Sequence, residues 1–193
     1  LDALLAYDAG DSTRALAHAR QAFRERPMVY EAGALVGQIL LEQALAARDA
    51  GDAGSQDALF GQAVAAYESA ARVGRSDSSL YAALADGWFR RIEKEGNVGL
   101  PQVYLGPALA AADRGIAASP GRSLPYTRKA FIYCRAINGR REVRFGRQVL
   151  RAAALRAAGE ALARDPGDYL AYDVIGNCTW NEATELDEQG ADP

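Results

Sequence analysis

Ala154-Leu155-Arg156-Ala157-Ala158-Gly159-Glu160-Ala161-Leu162-Ala163-Arg164-Asp165-Pro166 decides the fold, because its pattern occurs three more times in the chain. An alanine leads, further residues follow four and seven places on, and a proline stands twelve places on. Ala15, Ala19, Ala22 and Pro27 repeat it, as do Ala108, Ala112, Gly115 and Pro120. Ala63, Tyr67 and Ala70 keep the register, with Arg75 in the place of proline. The leading alanines are 48, 45 and 46 residues apart. Self-similarity at a step of this size marks a repeat array. Steps of four and seven fall on one helical face. Alanine on that face favours the helix and lets a partner helix come close.

A second set of positions describes the partner helix. It reads Tyr172, Ile175, Gly176 and Thr179 near the end of the chain, and Tyr81, Leu84, Ala85 and Trp88 near the middle. The other two copies are Gly33, Val36, Gly37, Leu40 and Tyr126, Lys129, Ala130, Tyr133. Steps of three, one and three again lie on one face, with a small residue at its centre.

These two half-motifs resemble the tetratricopeptide repeat, W-x2-L-G-x2-Y in helix A and A-x3-F-x2-A in helix B, followed by proline. The resemblance covers the whole chain, with Lys129, Gly33 and Arg75 as departures. The long period is located by one comparison. From Ala3 to Ala15 is 12 residues, the ordinary distance, whereas Gly37 to Ala63 is 26, Ala85 to Ala108 is 23 and Ala130 to Ala154 is 24. The extra chain is therefore at the tip of each A-to-B hairpin, and about eleven residues add three helical turns without turning the buried face away. The expected fold is all-α: nine helices at about 1–9, 12–25, 28–49, 57–73, 78–95, 101–118, 123–138, 146–164 and 168–189, stacked in antiparallel pairs as a right-handed superhelix. It is read as one solenoid over residues 1–193, with units of about 1–27, 28–77, 78–120, 121–166 and a truncated 167–193. Turns are expected at 50–55, 96–101, 138–139 and 190–193, where glycine, proline, asparagine and aspartate gather.

The long-hairpin form is similar to the tetratricopeptide region that follows the catalytic domain in a group of large bacterial serine/threonine protein kinases. Tyr7-Asp8-Ala9-Gly10-Asp11 leading to Arg14-Ala15-Leu16, Glu95-Gly96 before Pro101, and Tyr172-Asp173-Val174-Ile175-Gly176-Asn177 carry that likeness. The resemblance implies a regulatory or docking role. The chain itself has no glycine-rich phosphate loop, no His-Arg-Asp and no Asp-Phe-Gly, so no kinase chemistry is expected of it. Leu1 opens in what reads as mid-helix, and Asp192-Pro193 suits the first turn of a further helix, so the chain is read as a fragment.

Composition narrows the class. Of 193 residues 49% are hydrophobic but only 8% aromatic, and 22 basic residues face 25 acidic ones for a net charge of −3, which gives no overall pull toward nucleic acid or membrane. No apolar run is long enough to span a bilayer. Cys134 and Cys178, 44 residues apart at nearly equivalent repeat positions, are expected as reduced, packed thiols in a cytoplasmic protein. No catalytic residue, cofactor or metal is expected. His18 is the single histidine, and Glu182 and Glu185 read as an exposed acidic face.

In the resembled repeat, helix A lines a concave groove, and the positions just off its buried stripe face a bound protein or peptide. By alignment these are Gln38, Leu41, Asp86, Phe89, Arg90, Thr127, Phe131, Arg135, Asp173, Asn177 and Trp180. Asn177 is present without the lysine pair that holds a terminal carboxylate, so the aromatics Phe89, Phe131 and Trp180 are the expected anchors. A second candidate is an arginine-rich tip, Arg140, Arg141, Arg144, Arg147 and Arg151, suited to phosphoprotein or nucleic-acid phosphates or else paired with the acidic last helix. A protein scaffold is the leading reading; phosphate binding at this tip is the alternative. The last helix, with Ile175, Trp180 and Leu186, is expected to expose an apolar strip, so that the chain self-associates through it or the helix frays.

Overall fold

A computed structural model describes residues 1–95, 102–138 and 144–187. Among them lie nine helices: α1 (Asp2–Asp8), α2 (Ser12–Glu25), α3 (Tyr30–Asp49), α4 (Ala53–Val73), α5 (Ser78–Glu95), α6 (Gln102–Ala118), α7 (Leu124–Asn138), α8 (Arg144–Leu162) and α9 (Tyr169–Asp187). Consecutive helices pack as antiparallel pairs, and the chain forms two compact units, Leu1–Leu84 and Ala85–Pro193.

The short connections repeat one construction. Val29 N–H donates to the Arg26 carbonyl (2.9 Å), Asp77 to Gly74 (3.0 Å), Arg122 to Ser119 (3.1 Å) and Asp168 to Asp165 (3.1 Å). Each bond closes a four-residue turn whose second position is Pro27, Arg75, Pro120 or Pro166. That position needs the φ near −60° that proline fixes and other residues reach freely, which is why arginine serves in one copy. In two copies a tyrosine six residues later anchors the turn. The Tyr81 hydroxyl lies 3.4 Å from the Arg75 carbonyl, and that of Tyr126 3.3 Å from the Pro120 carbonyl.

Two other connections share the sequence Ala-Gly-Asp, at 9–11 and 50–52. Gly10 (φ 78°) and Gly51 (φ 81°) sit in the left-handed region that ends a helix. Asp11 and Asp52 N–H then reach back to the Ala6 and Ala47 carbonyls, both at 2.9 Å. The same aspartates cap the next helix, each carboxylate accepting a backbone N–H at 3.0 Å from Arg14 or Ser55. Because Asp52 caps it, α4 starts at Ala53 and not near 57, so Gly54 belongs to its first turn. Every other described helix end agrees with the sequence reading to within two residues; the expected turns at 96–101 and 190–193 and the glycine at 139 lie outside the described residues.

The core is built on small residues. In the first unit Ala15, Ala19, Ala63 and Ala70 are buried, as are Ile39, Leu40 and Phe60. The Tyr67 ring of α4 lies over Gly37 of α3, where an added Cβ would sit 2.8 Å from the ring. In the second unit Ala130 of α7, Ala154, Ala158 and Ala161 of α8, and Ala171 and Val174 of α9 form one buried cluster with both cysteines.

Two glycine substitutions separate this packing from plain helix propensity. Gly37→Ala should lower stability by about 1–3 kcal/mol through the overlap with Tyr67. Gly61→Ala, on the exposed side of α4 with nothing within 4 Å, should raise it by roughly 0.5–1 kcal/mol. Equal melting shifts in the two variants would contradict the close approach at Gly37.

Candidate functional site

The first unit places Gln38 at the exposed side of α3 and buries Leu41 in the core. Gln38 Nε2 donates to the Tyr7 hydroxyl at 2.7 Å and lies 3.3 Å from Glu42 Oε1. The Tyr7 hydroxyl in turn donates to Glu42 Oε1. That last bond, with burial and the Glu42 charge behind it, pushes the phenol above its ordinary pKa. These three side chains tie α1 to α3 across 31 residues of sequence.

In the second unit, α5 and α7 bring a denser group together. Asp86 Oδ2 accepts from Arg90 Nε at 3.0 Å, one helical turn away, and its Oδ1 lies 3.4 Å from Arg128 of α7. Beside this bridge the rings of Phe89 and Phe131 meet edge to face, centroids 5.9 Å apart and planes at 70°. Such a pair contributes about 0.5–1.5 kcal/mol beyond its buried area. Both rings keep part of their surface exposed. Arg135, half-buried, follows one turn along α7.

Thr127 precedes Phe131 by one turn of α7. It is 1% exposed, and its hydroxyl donates to Asp168 Oδ2, while Asp168 Oδ1 accepts the Ala171 N–H at 3.2 Å. One carboxylate thus caps α9 and holds α7. On α9, Asp173, Asn177 and Trp180 are exposed. Asn177 Nδ2 turns back to the Asp173 carbonyl at 2.9 Å, and Trp180 keeps 75% of its surface.

The arginine-rich segment divides differently. Arg147 donates to Glu185 Oε1 at 2.6 Å, and Arg151 to Glu185 Oε2 at 2.9 Å with Glu182 at 3.6 Å. Arg151 is only 6% exposed, so its charge requires that pairing. Arg144 is described as the first residue of α8, and Arg140 and Arg141 lie outside the described residues. Arg147 and Arg151 therefore form the electrostatic seam between α8 and α9.

Other reactive groups are spoken for. His18 Nε2 accepts from Arg14 Nε at 3.3 Å. Cys134 and Cys178 are buried free thiols; hydrogen bonding to Cys178 and burial push the Cys134 thiol up, and the bond Cys178 receives holds it down. Among the described residues no three His, Cys, Asp or Glu side chains converge to hold a metal ion, and no helix is long and apolar enough to cross a membrane. Tyr7 and Arg128 are the participants that sequence spacing did not single out. Each acts across helices, where spacing along one helix carries no signal. No known protein family matches the chain, and no curated protein matches it.

The α8–α9 seam sets a pH response. Burial alone would raise the Glu185 pKa, but the hydrogen bonds and charges of Arg151 and Arg147 outweigh it and hold it below the ordinary 4.5. A depressed carboxylate contributes stability that is complete above its unfolded pKa and lost as pH falls through the folded one. Glu185→Gln should therefore cost about 1–3 kcal/mol at pH 7, and the gap from the parent should close as pH falls below about 4. Denaturant unfolding of both proteins across that range measures it. A constant gap would contradict the ionic seam.

Proposed function

We propose that the chain is a non-catalytic protein-binding scaffold built from tetratricopeptide-type repeats, with the right-handed superhelical stacking that this repeat implies. The reading extends to a cytoplasmic role as the regulatory or docking region of a bacterial signalling protein such as a serine/threonine kinase. The repeated turn, the tyrosine that anchors it and the alanine register support the repeat type.

One observation carries the binding role: the partly exposed Phe89–Phe131 pair framed by Asp86, Arg90 and Arg128. Aromatic anchors ringed by paired charges have the composition of an interaction hot spot, in which the rings fill a partner's pocket and the charges fix its register. A peptide or helix with an apolar residue flanked by opposite charges fits this chemistry. Phosphate binding through the arginine tip has less support, since Arg147 and Arg151 already hold Glu185.

Selection from a random peptide library tests the reading. The protein should enrich sequences with an apolar anchor, and Phe89→Ala should weaken them at least tenfold while helix content by circular dichroism stays constant. Their affinity should vary little with salt. Enrichment of phosphopeptides alone, with affinity collapsing as salt rises, would overturn this reading in favour of the arginine tip.

A further inference from the structure

The two cysteines of the chain, 44 residues apart in sequence, are brought together by its fold. Cys134 stands on α7 and Cys178 on α9, and these helices pack against each other. Both side chains lie in one buried cluster, Cys134 6% and Cys178 0% exposed. Their sulfurs are in hydrogen-bonding contact, with the Cys134 thiol donating to Cys178. Packing alone does not ask for sulfur at either place. In the repeat register Cys134 stands where α3 has Leu41 and α5 has Phe89. Cys178 stands where α3 has Ile39, α5 has Gly87 and α7 has Ile132. The other copies thus hold these positions with apolar residues or glycine, and two thiols meet only between α7 and α9.

The charges on the two sides of the pair differ. Arg151, itself 6% exposed, and Glu182 act on Cys178, whereas Asp173 and Arg135 act on Cys134. The hydrogen bond from Cys134 and the Arg151 charge outweigh burial and hold the Cys178 thiol below its ordinary pKa. The same bond, with burial behind it, pushes the Cys134 thiol up. A thiol held toward its anion beside a buried cation is the nucleophilic kind, and a second thiol in contact with it is placed to complete a disulfide.

We propose that Cys134 and Cys178 form a redox-active dithiol site, oxidised by a hydroperoxide to a disulfide that ties α9 to α7. The Cys178 thiolate attacks one oxygen of hydrogen peroxide, the O–O bond breaks, and the departing hydroxide takes up a proton as water. Cys178 is left as a sulfenic acid. The Cys134 sulfur then attacks the Cys178 sulfur, the S–O bond breaks, and the hydroxyl leaves with the Cys134 proton as a second water. Two thiols and one peroxide thus give one disulfide and two waters, the sulfurs losing two electrons to the peroxide. Burial of both sulfurs directs the second step inward, since a second chain does not reach them. In the reduced chain α9 is held by the Asp168 bond to Thr127 and the Glu185 seam; oxidation adds a covalent tie that closes all of α8 into a loop. The site is independent of peptide binding at the Phe89–Phe131 patch.

The test treats the whole reduced chain with hydrogen peroxide. Its intact mass should fall by two hydrogens as both free thiols disappear, and dithiothreitol should restore them. The oxidised form should melt several degrees higher, because the closed loop restricts the unfolded chain. These readouts on the parent need no variant to fold. With dimedone present to trap a sulfenic acid, Cys134→Ser should be labelled at Cys178, and Cys178→Ala should remain unlabelled at Cys134. Both thiols still free in the folded chain, under peroxide that oxidises the same chain in denaturant, would overturn the proposal. So would disulfide-linked dimers in place of the internal bond, or label found on Cys134 and not on Cys178.

Discussion

Where a helix crosses the one that follows it, the residue at the crossing has no side chain beyond Cβ, and the other contacts depend on that closeness. At α3 and α4 the arrangement is glycine beneath a tyrosine ring; at α7 and α8 it is alanine among alanines. Both satisfy one volume requirement, since interiors are packed to crystal density and a methylene too many or too few is felt. Gly37 with Tyr67 and Ala130 with Ala158 are two solutions to the same space. This explains how a chain so rich in alanine still excludes water from its helix interfaces: alanine brings the backbones together, and dispersion between them replaces the bulk of leucine or phenylalanine.

The short turns follow from the same register. Once the helices lie close, the chain must reverse in a fixed length, and the i to i+3 bond recurs in four places. Tyr81 and Tyr126 then reach the turn carbonyl from the same distance along their helices. Arg164 closes the second of these turns, donating to the Pro120 carbonyl at 2.6 Å while stacking on Tyr126. Packing, turn and capping thus point to one structure, which is the condition for a sequence to specify its fold.

Much of this was legible in the residues. Helix number, order and nearly all described ends follow from periodicity and turn chemistry, because both are local. The start of α4 was missed since Gly54 and Ser55 look like loop residues, and the deciding fact is that Asp52 caps the helix before them. The candidate site was legible only as faces. Alignment put Phe89 and Phe131 on the same line, and the structure joins them; it put Thr127 there too, but its hydroxyl is spent on Asp168. The pairing of Arg147 and Arg151 with Glu185 depends on how deep each guanidinium lies. Sequence spacing does not carry that depth.

The account depends on the alanine register being a packing constraint and not a by-product of helix propensity. The direct measurement is thermal unfolding of eight single substitutions to leucine. Four are at the buried register positions Ala15, Ala63, Ala108 and Ala154, and four at the exposed neighbours Ala17, Ala65, Ala110 and Ala152. Leucine is nearly as good a helix former as alanine, so propensity changes little in either set. Overpacking should cost each register variant about 1–3 kcal/mol, a fall of several degrees for a chain of this length, while the neighbours stay close to the parent. Equal melting temperatures in the two sets would contradict the account.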